Sequence, residues 1–253
     1  MNLEKKTYYK YFIRHIVADI YLGKWLRMNA FRRWIEPRLG LEATANARTL
    51  DIGTGDGILA FYLSRRYPKL TVIGADIKEE KIRANEYVVA RVGIKNLTFT
   101  VMDIMKPHIK EPCDYIFAFD ILEHLEDDAT ALKNCAELLL PNGHLIINAP
   151  NRLMRNERGE WIPSLGPPDH LRTGYDLEVL EGIIREANLK PIFHHYYIGK
   201  KLIKAWRLYS RLDKIGRPLT LIGMPFYKCC FLLESDPSPM IGNAFFLIAK
   251  KLK

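Results

Sequence analysis

Thr49-Leu50-Asp51-Ile52-Gly53-Thr54-Gly55-Asp56-Gly57 is the stretch on which the reading of this chain turns. An apolar run surrounds an acid, three glycines follow at alternate positions, and a helical pattern opens at Ile58. Glycine adopts backbone angles that other residues avoid and lets the main chain approach a ligand closely. A strand, a glycine loop and a helix N-terminus in that order form a nucleotide-binding corner, where backbone N–H groups and the helix dipole face the ligand.

Outward from that corner, strand and helix patterns alternate. Arg48 to Ile52 reads as the first strand and Ile58 to Arg66 as a helix closed by Tyr67-Pro68. Leu70 to Ala75 is a second strand, Glu79 to Val92 a helix stopped at Gly93, Asn96 to Met102 a third strand, and Cys113 to Phe119 a fourth. Asp127 to Leu140 is a helix capped by Asp127 or Asp128, Pro141-Asn142-Gly143 a turn, and His144 to Ala149 a fifth strand. The proline- and glycine-rich stretch 150–174 reads as loop, Tyr175 to Asn188 as a helix, and Lys190 to Tyr197 and Asn243 to Lys250 as the last two strands. Short connections between repeated βα units predict an α/β, Rossmann-like fold: a seven-stranded, mostly parallel sheet with helices on both faces.

Four acids fall at or beside successive strand ends: Asp51, Asp76, Asp103 and Asp120. Ligands of open parallel sheets sit outside the carboxyl ends of the strands. A row of carboxylates there suits a ligand rich in hydroxyls, amines and positive charge, and suits a bare pyrophosphate poorly. The fingerprint of a dinucleotide dehydrogenase, GxGxxG, also fails, because Ile58 stands where its third glycine belongs.

With these residues in hand, the chain resembles the class I S-adenosylmethionine-dependent methyltransferases, near the group that includes the quinone-biosynthesis O-methyltransferases. The resemblance is carried by LDIGTGDG at 50–57, VIGAD at 72–76, VMD at 101–103, CDYIFAFDILEHL at 113–125, LLLPNGHLIINAPN at 138–151 and HLRTGYDLEVLEGIIREANL at 170–189. It implies S-adenosyl-L-methionine as cofactor. By the same resemblance, Asp51 orders the loop and holds the methionine amino group, while Gly53, Gly55 and Gly57 let the backbone approach. Asp76, followed by Ile77, takes the ribose hydroxyls. Asp103, beside Ile104, meets the adenine amine, and Asp120 begins the loop facing the methyl group.

A hydroxyl acceptor must lose a proton, and His124 is the first candidate base, since a histidine near neutral pKa can take one. Packing or capping is its alternative role. His170, before the helix that follows the fifth strand, is a second candidate, and Asn151 and Arg152 are expected beside the same cavity. Asp120, Glu123 and His124 also have the acid-x-x-acid-His spacing with which some relatives hold a divalent cation, and two carboxylates with an imidazole are suitable ligands. Here Asp replaces the Glu of those relatives at the first position.

The ends of the chain differ from its middle. Of 253 residues, 48% are hydrophobic and 26% charged, as in a soluble globular protein, and the net charge is +9. Residues 1–38 carry nine Lys/Arg against three Asp/Glu, and residues 199–253 carry eleven against three, so the stretch between them is acidic. The expected organisation is an N-terminal helical cap (1–38), the cofactor-binding core (39–198), a basic and apolar helical insertion (199–241) and the final strand (242–253). In the cap, a second helix through Trp25, Met28 and Ile35 is expected to end at Glu36-Pro37.

In the insertion, Ile198, Leu202, Ala205, Tyr209 and Leu212 form one helical stripe, and Lys200, Lys204, Arg207, Arg211 and Lys214 another on nearly the opposite face. Apolar segments follow at 218–227 and 229–233. Such a pattern reads as peripheral contact with an anionic membrane and a small-molecule or lipid-like acceptor. An RNA or protein acceptor is the alternative within the enzyme class, nucleic acid being disfavoured because no RNA-binding module is appended. A non-catalytic S-adenosylmethionine binder stays open as an alternative of another class. Cys113, Cys135, Cys229 and Cys230 form no CxxC pair, there is no apolar signal-peptide core, and the expected setting is cytoplasmic, peripheral on the inner face of a membrane.

Overall fold

The computed structural model describes residues 5, 8, 9, 22–44, 46–155, 160–163, 171–198, 208, 211, 212, 225, 226, 228–230 and 242–252. His170, nearly all of the N-terminal cap before Leu22, and almost all of the basic and apolar insertion lie outside the described residues.

The strands are β1 (Arg48–Ile52), β2 (Thr71–Asp76), β3 (Leu97–Val101), β4 (Cys113–Phe119), β5 (Leu139–Pro150), the short pair β6 (Leu153–Arg155) and β7 (Trp161–Pro163), then β8 (Leu189–Tyr197) and β9 (Ala244–Lys251). Seven of them form one sheet in the order β3-β2-β1-β4-β5-β9-β8. The first five are parallel, and β9 runs antiparallel to both β5 and β8. This is the expected mostly parallel sheet, and its order reverses between β1 and β4.

The helices are α1 (Leu22–Ala30), α2 (Glu36–Leu39), α3 (Ile58–Arg66), α4 (Glu79–Val92), α5 (Asp128–Leu138) and α6 (Leu177–Glu186). α4 shows why the sequence folds this way. Glu79 and Glu80 sit in its positive first turn, Arg91 in its last, Ile82 and Val88 face inward, and Gly93 ends it in a left-handed conformation. Strand period does the rest. Tyr115, Phe117 and Phe119 point to the face covered by α1, α3 and α4, whereas Ile116 and Ala118 point to the face covered by α5 and α6. The helices on both faces are as expected.

Leu26, Ala30, Phe31 and Ile35 are fully buried in the first of these cores. Phe31 meets Phe117 and Phe119 edge-on at centroid distances of 5.9 and 5.6 Å. Burial of such a side chain contributes about 1.5–3 kcal/mol, and each edge-on aromatic pair roughly 0.5–1.5 kcal/mol more. α1 is therefore a fixed wall beside the carboxyl ends of the strands.

Three local expectations are corrected. Pro37 does not end the second helix. A π-helical turn, Phe31–Ile35, precedes it with the Glu36 N–H donating to the Phe31 carbonyl, and Pro37 falls in the first turn of α2, where its missing N–H costs nothing. Pro141-Asn142-Gly143 is not a free turn but an irregularity within β5. Cys113 pairs with Leu139 and Tyr115 with His144, and Asn142 takes a positive φ of 67° to absorb the extra residues. The stretch 150–174, read as loop, contains the β6–β7 hairpin.

Candidate active site

The carboxyl ends of β1 to β4 converge where the strand order reverses. Register fixes the layout: Asp51 of β1 is flanked by Gly74 of β2 and Phe117 of β4, and Asp76 pairs with Val101 of β3. Asp120 follows directly after β4, and Asp103 stands two residues beyond the end of β3. The four acids expected at the strand ends are thus neighbours above one stretch of sheet.

The glycine loop between β1 and α3 is held from several sides. The Thr54 N–H donates to Ala75 O at 2.9 Å and the Gly57 N–H to Thr54 O at 2.8 Å. The Gly55 N–H donates to Asp76 Oδ2 at 2.8 Å, while Asn85 Nδ2 donates to Gly55 O at 2.9 Å. Gly53 has φ +65°, and a Cβ there would lie 2.6 Å from Ile121 Cδ1, so both backbone angle and space demand glycine. Asp56, inside the loop, binds Lys24 of α1 at 2.9 Å and Lys81 of α4 at 2.6 Å. Burial opposes its ionisation, but the two lysines outweigh it and hold the carboxyl well below the usual range.

Asp51 behaves in the opposite way. It is only 4% exposed, and burial pushes its carboxyl from the ordinary 3.8 up to about 7. The Thr54 hydroxyl donates to it at 2.6 Å, and Arg27 and the Ala60 amide also favour its charge, while Asp76 opposes it. These partners leave the buried carboxylate undercompensated, which suits a cationic ligand group. Asp76 is preorganised by backbone: besides Gly55, the Lys78 N–H donates to its Oδ1 at 2.9 Å. Asp103 Oδ1 accepts from the Met105 N–H at 2.8 Å.

Two cavities meet at Gly53, Gly55 and Asp120. The larger, of about 510 Å³, is lined by Asp76, Ile77, Asp103, Ile104, His124 and Leu125 among others. That volume is in the range of a small-ligand site. The smaller, of about 190 Å³, lies between α1 and the loop, with Lys24, Arg27 and Met28 facing Asp51, Asp56 and Phe119. Asp120 stands where they join. Its φ of 48° is strained for a non-glycine residue, its N–H donates to Asn148 O at 3.0 Å, and its carboxylate pairs with Arg27. Asp51, Gly53, Gly55, Asp76, Ile77, Asp103, Ile104 and Asp120 all line one or both cavities, whereas Gly57 starts α3 in a left-handed conformation behind them.

The donor set fits S-adenosylmethionine: a buried carboxyl short of positive charge, a second acid with its oxygens oriented by amides, and a third acid beside apolar Ile104. The expected cation triad does not assemble. No cluster of three His, Cys, Asp or Glu suited to a metal occurs among the described residues. Leu122–His124 is a single 3-10 turn, which splays successive side chains apart; Glu123 is 1% exposed, His124 faces the cavity, and Asp120 is engaged by Arg27.

Asn151 and Arg152 are expected beside the cavity of His170, which lies outside the described residues; they are not among the linings of the two cavities above. Asn151 Nδ2 donates to Gly242 O at 2.8 Å, and Arg152 pairs with Asp176 at 2.8 Å. Sequence reasoning missed Lys24, Arg27 and Met28. Their spacing puts them on one face of α1, but the acids they meet lie far away in sequence.

Residues 25–193 match the family model described as a methyltransferase domain. The ubiquinone biosynthesis O-methyltransferase of Acinetobacter baumannii (strain AYE) is 28% identical over 129 residues, which are 50% of this chain and 51% of that protein. The chain therefore spans about half the length of that curated relative. The enzyme of the same name from Yersinia pestis (strain Pestoides F) is 25% identical over 186 residues, 66% of this chain and 75% of that protein. Among solved structures, the phosphoethanolamine N-methyltransferase 2 of Haemonchus contortus, in complex with phosphomonomethylethanolamine and S-adenosylhomocysteine, superposes with a TM-score of 0.63 at 18% identity. It covers 92% of this chain and 57% of that one, a likeness of fold. With the family model spanning well over half of its residues, the chain belongs to the S-adenosylmethionine-dependent methyltransferase-domain family.

Proposed function

We propose that the chain transfers a methyl group from S-adenosylmethionine to an oxygen atom of a small or lipid-like acceptor. The observation that carries the reading is the buried, undercompensated carboxyl of Asp51, set in line with Asp76 and Asp103 above adjacent strands. Bound S-adenosylmethionine supplies an electrophilic methyl group on a sulfonium centre. Asp51 holds the ammonium of the methionine part, and its charge is restored by that partner. Asp76 receives the two ribose hydroxyls on lone pairs that its backbone amides leave over. Asp103 accepts from the adenine amine, and Ile77, Ile104 and Leu125 supply apolar wall.

His124 lines the same cavity as Asp120 and takes the proton from the acceptor hydroxyl. The relatives named O-methyltransferases support oxygen as the target atom. No step is assigned to a metal ion. The basic and apolar stripes of 198–233 support an amphiphilic acceptor met at an anionic membrane surface, on its cytoplasmic side. Among the described residues, no helix is long and apolar enough to cross a membrane.

Labelled S-adenosylmethionine, incubated with the protein and with separate lipid, RNA and small-molecule extracts of the host, tests the function. Label should enter the lipid or small-molecule fraction and fall sharply in His124→Ala. Label in RNA, or in no fraction, would refute the acceptor class. Flotation with anionic liposomes at low salt tests the membrane contact, which is excluded if the protein stays at the bottom of the gradient.

A further inference from the structure

The loop joining β4 to α5 presents Ile121, His124 and Leu125 to the larger cavity. Its carbonyls from Leu122 onward are met by a short segment, 171–175. Tyr175 Oη donates to Leu122 O at 3.0 Å. The Leu171 and Arg172 N–H groups donate to Glu123 O at 3.0 and 3.3 Å. Arg172 Nη2 donates to both Leu125 O and Glu126 O, each at 3.1 Å. Four of the five carbonyls from Leu122 to Glu126 are therefore met by this segment. The far end of the guanidinium pairs with Asp128, the first residue of α5, and Asp128 Oδ2 lies 2.8 Å from Tyr175 Oη, whose single hydrogen it shares with Leu122 O. Tyr175 and Asp128 are buried, and the Arg172 guanidinium lies 5.5 Å from the Tyr175 ring centroid.

We propose that Arg172, with Asp128 and Tyr175, is a positioning clamp that sets the His124–Leu125 loop against the cofactor cavity. The proposal rests on the reading of that cavity as the S-adenosylmethionine site. Neither Arg172 nor Tyr175 lines these two cavities; they reach the larger one by way of the loop they hold. The geometry needs a guanidinium. One planar fork satisfies two successive carbonyls and a carboxylate at once, which a lysine ammonium on a flexible stem cannot reproduce.

Calorimetric titration with S-adenosylhomocysteine, well below the unfolding temperature, tests this in wild type, Arg172→Gln, Arg172→Lys and Tyr175→Phe. Amide hydrogen exchange of the same proteins supplies a second readout, since the His124 and Leu125 N–H groups bond within the loop, to Ile121 O and Leu122 O. Both Arg172 variants should bind about tenfold more weakly. Tyr175→Phe should bind about threefold more weakly. All three should lose protection at His124 and Leu125 while β1 and β4 keep theirs. Arg185→Gln, which removes an exposed pair with Glu181 on α6, should change neither readout.

Wild-type affinity in both Arg172 variants, or protection lost evenly across the sheet, overturns the clamp while leaving the site reading intact. Failure of the wild-type protein itself to bind S-adenosylhomocysteine overturns the site reading, and the clamp with it, before any variant is compared.

Discussion

Asp51 makes cofactor binding a proton-linked event. Its carboxyl is pushed from the ordinary 3.8 up to about 7, chiefly by burial. At roughly 1.36 kcal/mol for each tenfold change in the ionisation constant, charging it in the empty site costs about 4 kcal/mol. Because the folded-state pKa is raised, the contribution of this group to stability is fully present below pH 3.8 and is lost as pH rises toward 7. A ligand ammonium placed beside Asp51 lowers its pKa and expels the proton. At pH 6 about 0.9 proton should leave for each S-adenosylhomocysteine bound, and at pH 8 about 0.1. Affinity should rise about fivefold from pH 6 to 7 and about twofold more from 7 to 8. Asp56, its carboxyl held well below the usual range by Lys24 and Lys81, is already ionised across this window. Calorimetry in buffers of differing ionisation enthalpy counts the protons directly. Asp51→Asn should bind more weakly and lose the pH dependence. Binding without proton release at pH 6, at an affinity flat from pH 5.5 to 8, would refute the reasoning.

Gly53→Ala places a Cβ 2.6 Å from Ile121 Cδ1 at a positive φ. It should lower stability by about 1–2 kcal/mol in urea unfolding and weaken S-adenosylhomocysteine binding, since the same backbone lines both cavities. Asp56→Asn breaks the links from the glycine loop to Lys24 and Lys81 and should cost about 1–3 kcal/mol at pH 7. A depressed carboxyl contributes above its unfolded pKa, so the difference from wild type should close only as pH falls well below 3.8. Exhaustive chelation should leave methyl transfer unchanged, because Asp120, Glu123 and His124 do not form a cation site; activity restored by Mg²⁺ after chelation would contradict this.

The sheet was legible because its signals are local. Apolar strands ending in Asp51, Asp76 and Asp103, with a glycine loop after the first, specify both the strand direction and the edge at which a ligand sits. The site's second wall was not legible. Arg27 meets Asp120, and Lys24 meets Asp56, only through the packing of Leu26, Phe31 and Ile35 on the sheet, and nothing near those cations in sequence names their partners. The metal spacing misled for a related reason. Residues three and four apart share a face of an α-helix, but Leu122–His124 is a 3-10 turn joined to a strained Asp120. Pro37 misled because a π-helical turn ahead of it turns a helix stop into a helix start. Arg172 and Tyr175 stood in the motif that carried the resemblance, yet their role depends on carbonyls some fifty residues earlier, which no periodicity reveals.

The proposed role of the corner at 49–57 is to hold S-adenosylmethionine by way of the acids that follow it. One calorimetric comparison decides it: wild type and Asp76→Ala, each titrated with S-adenosylhomocysteine and with NAD. The expected result is one site per chain for S-adenosylhomocysteine in the wild type, binding lowered at least tenfold in Asp76→Ala, and no heat with NAD. Binding of NAD in place of S-adenosylhomocysteine, or binding that Asp76→Ala leaves untouched, would contradict it.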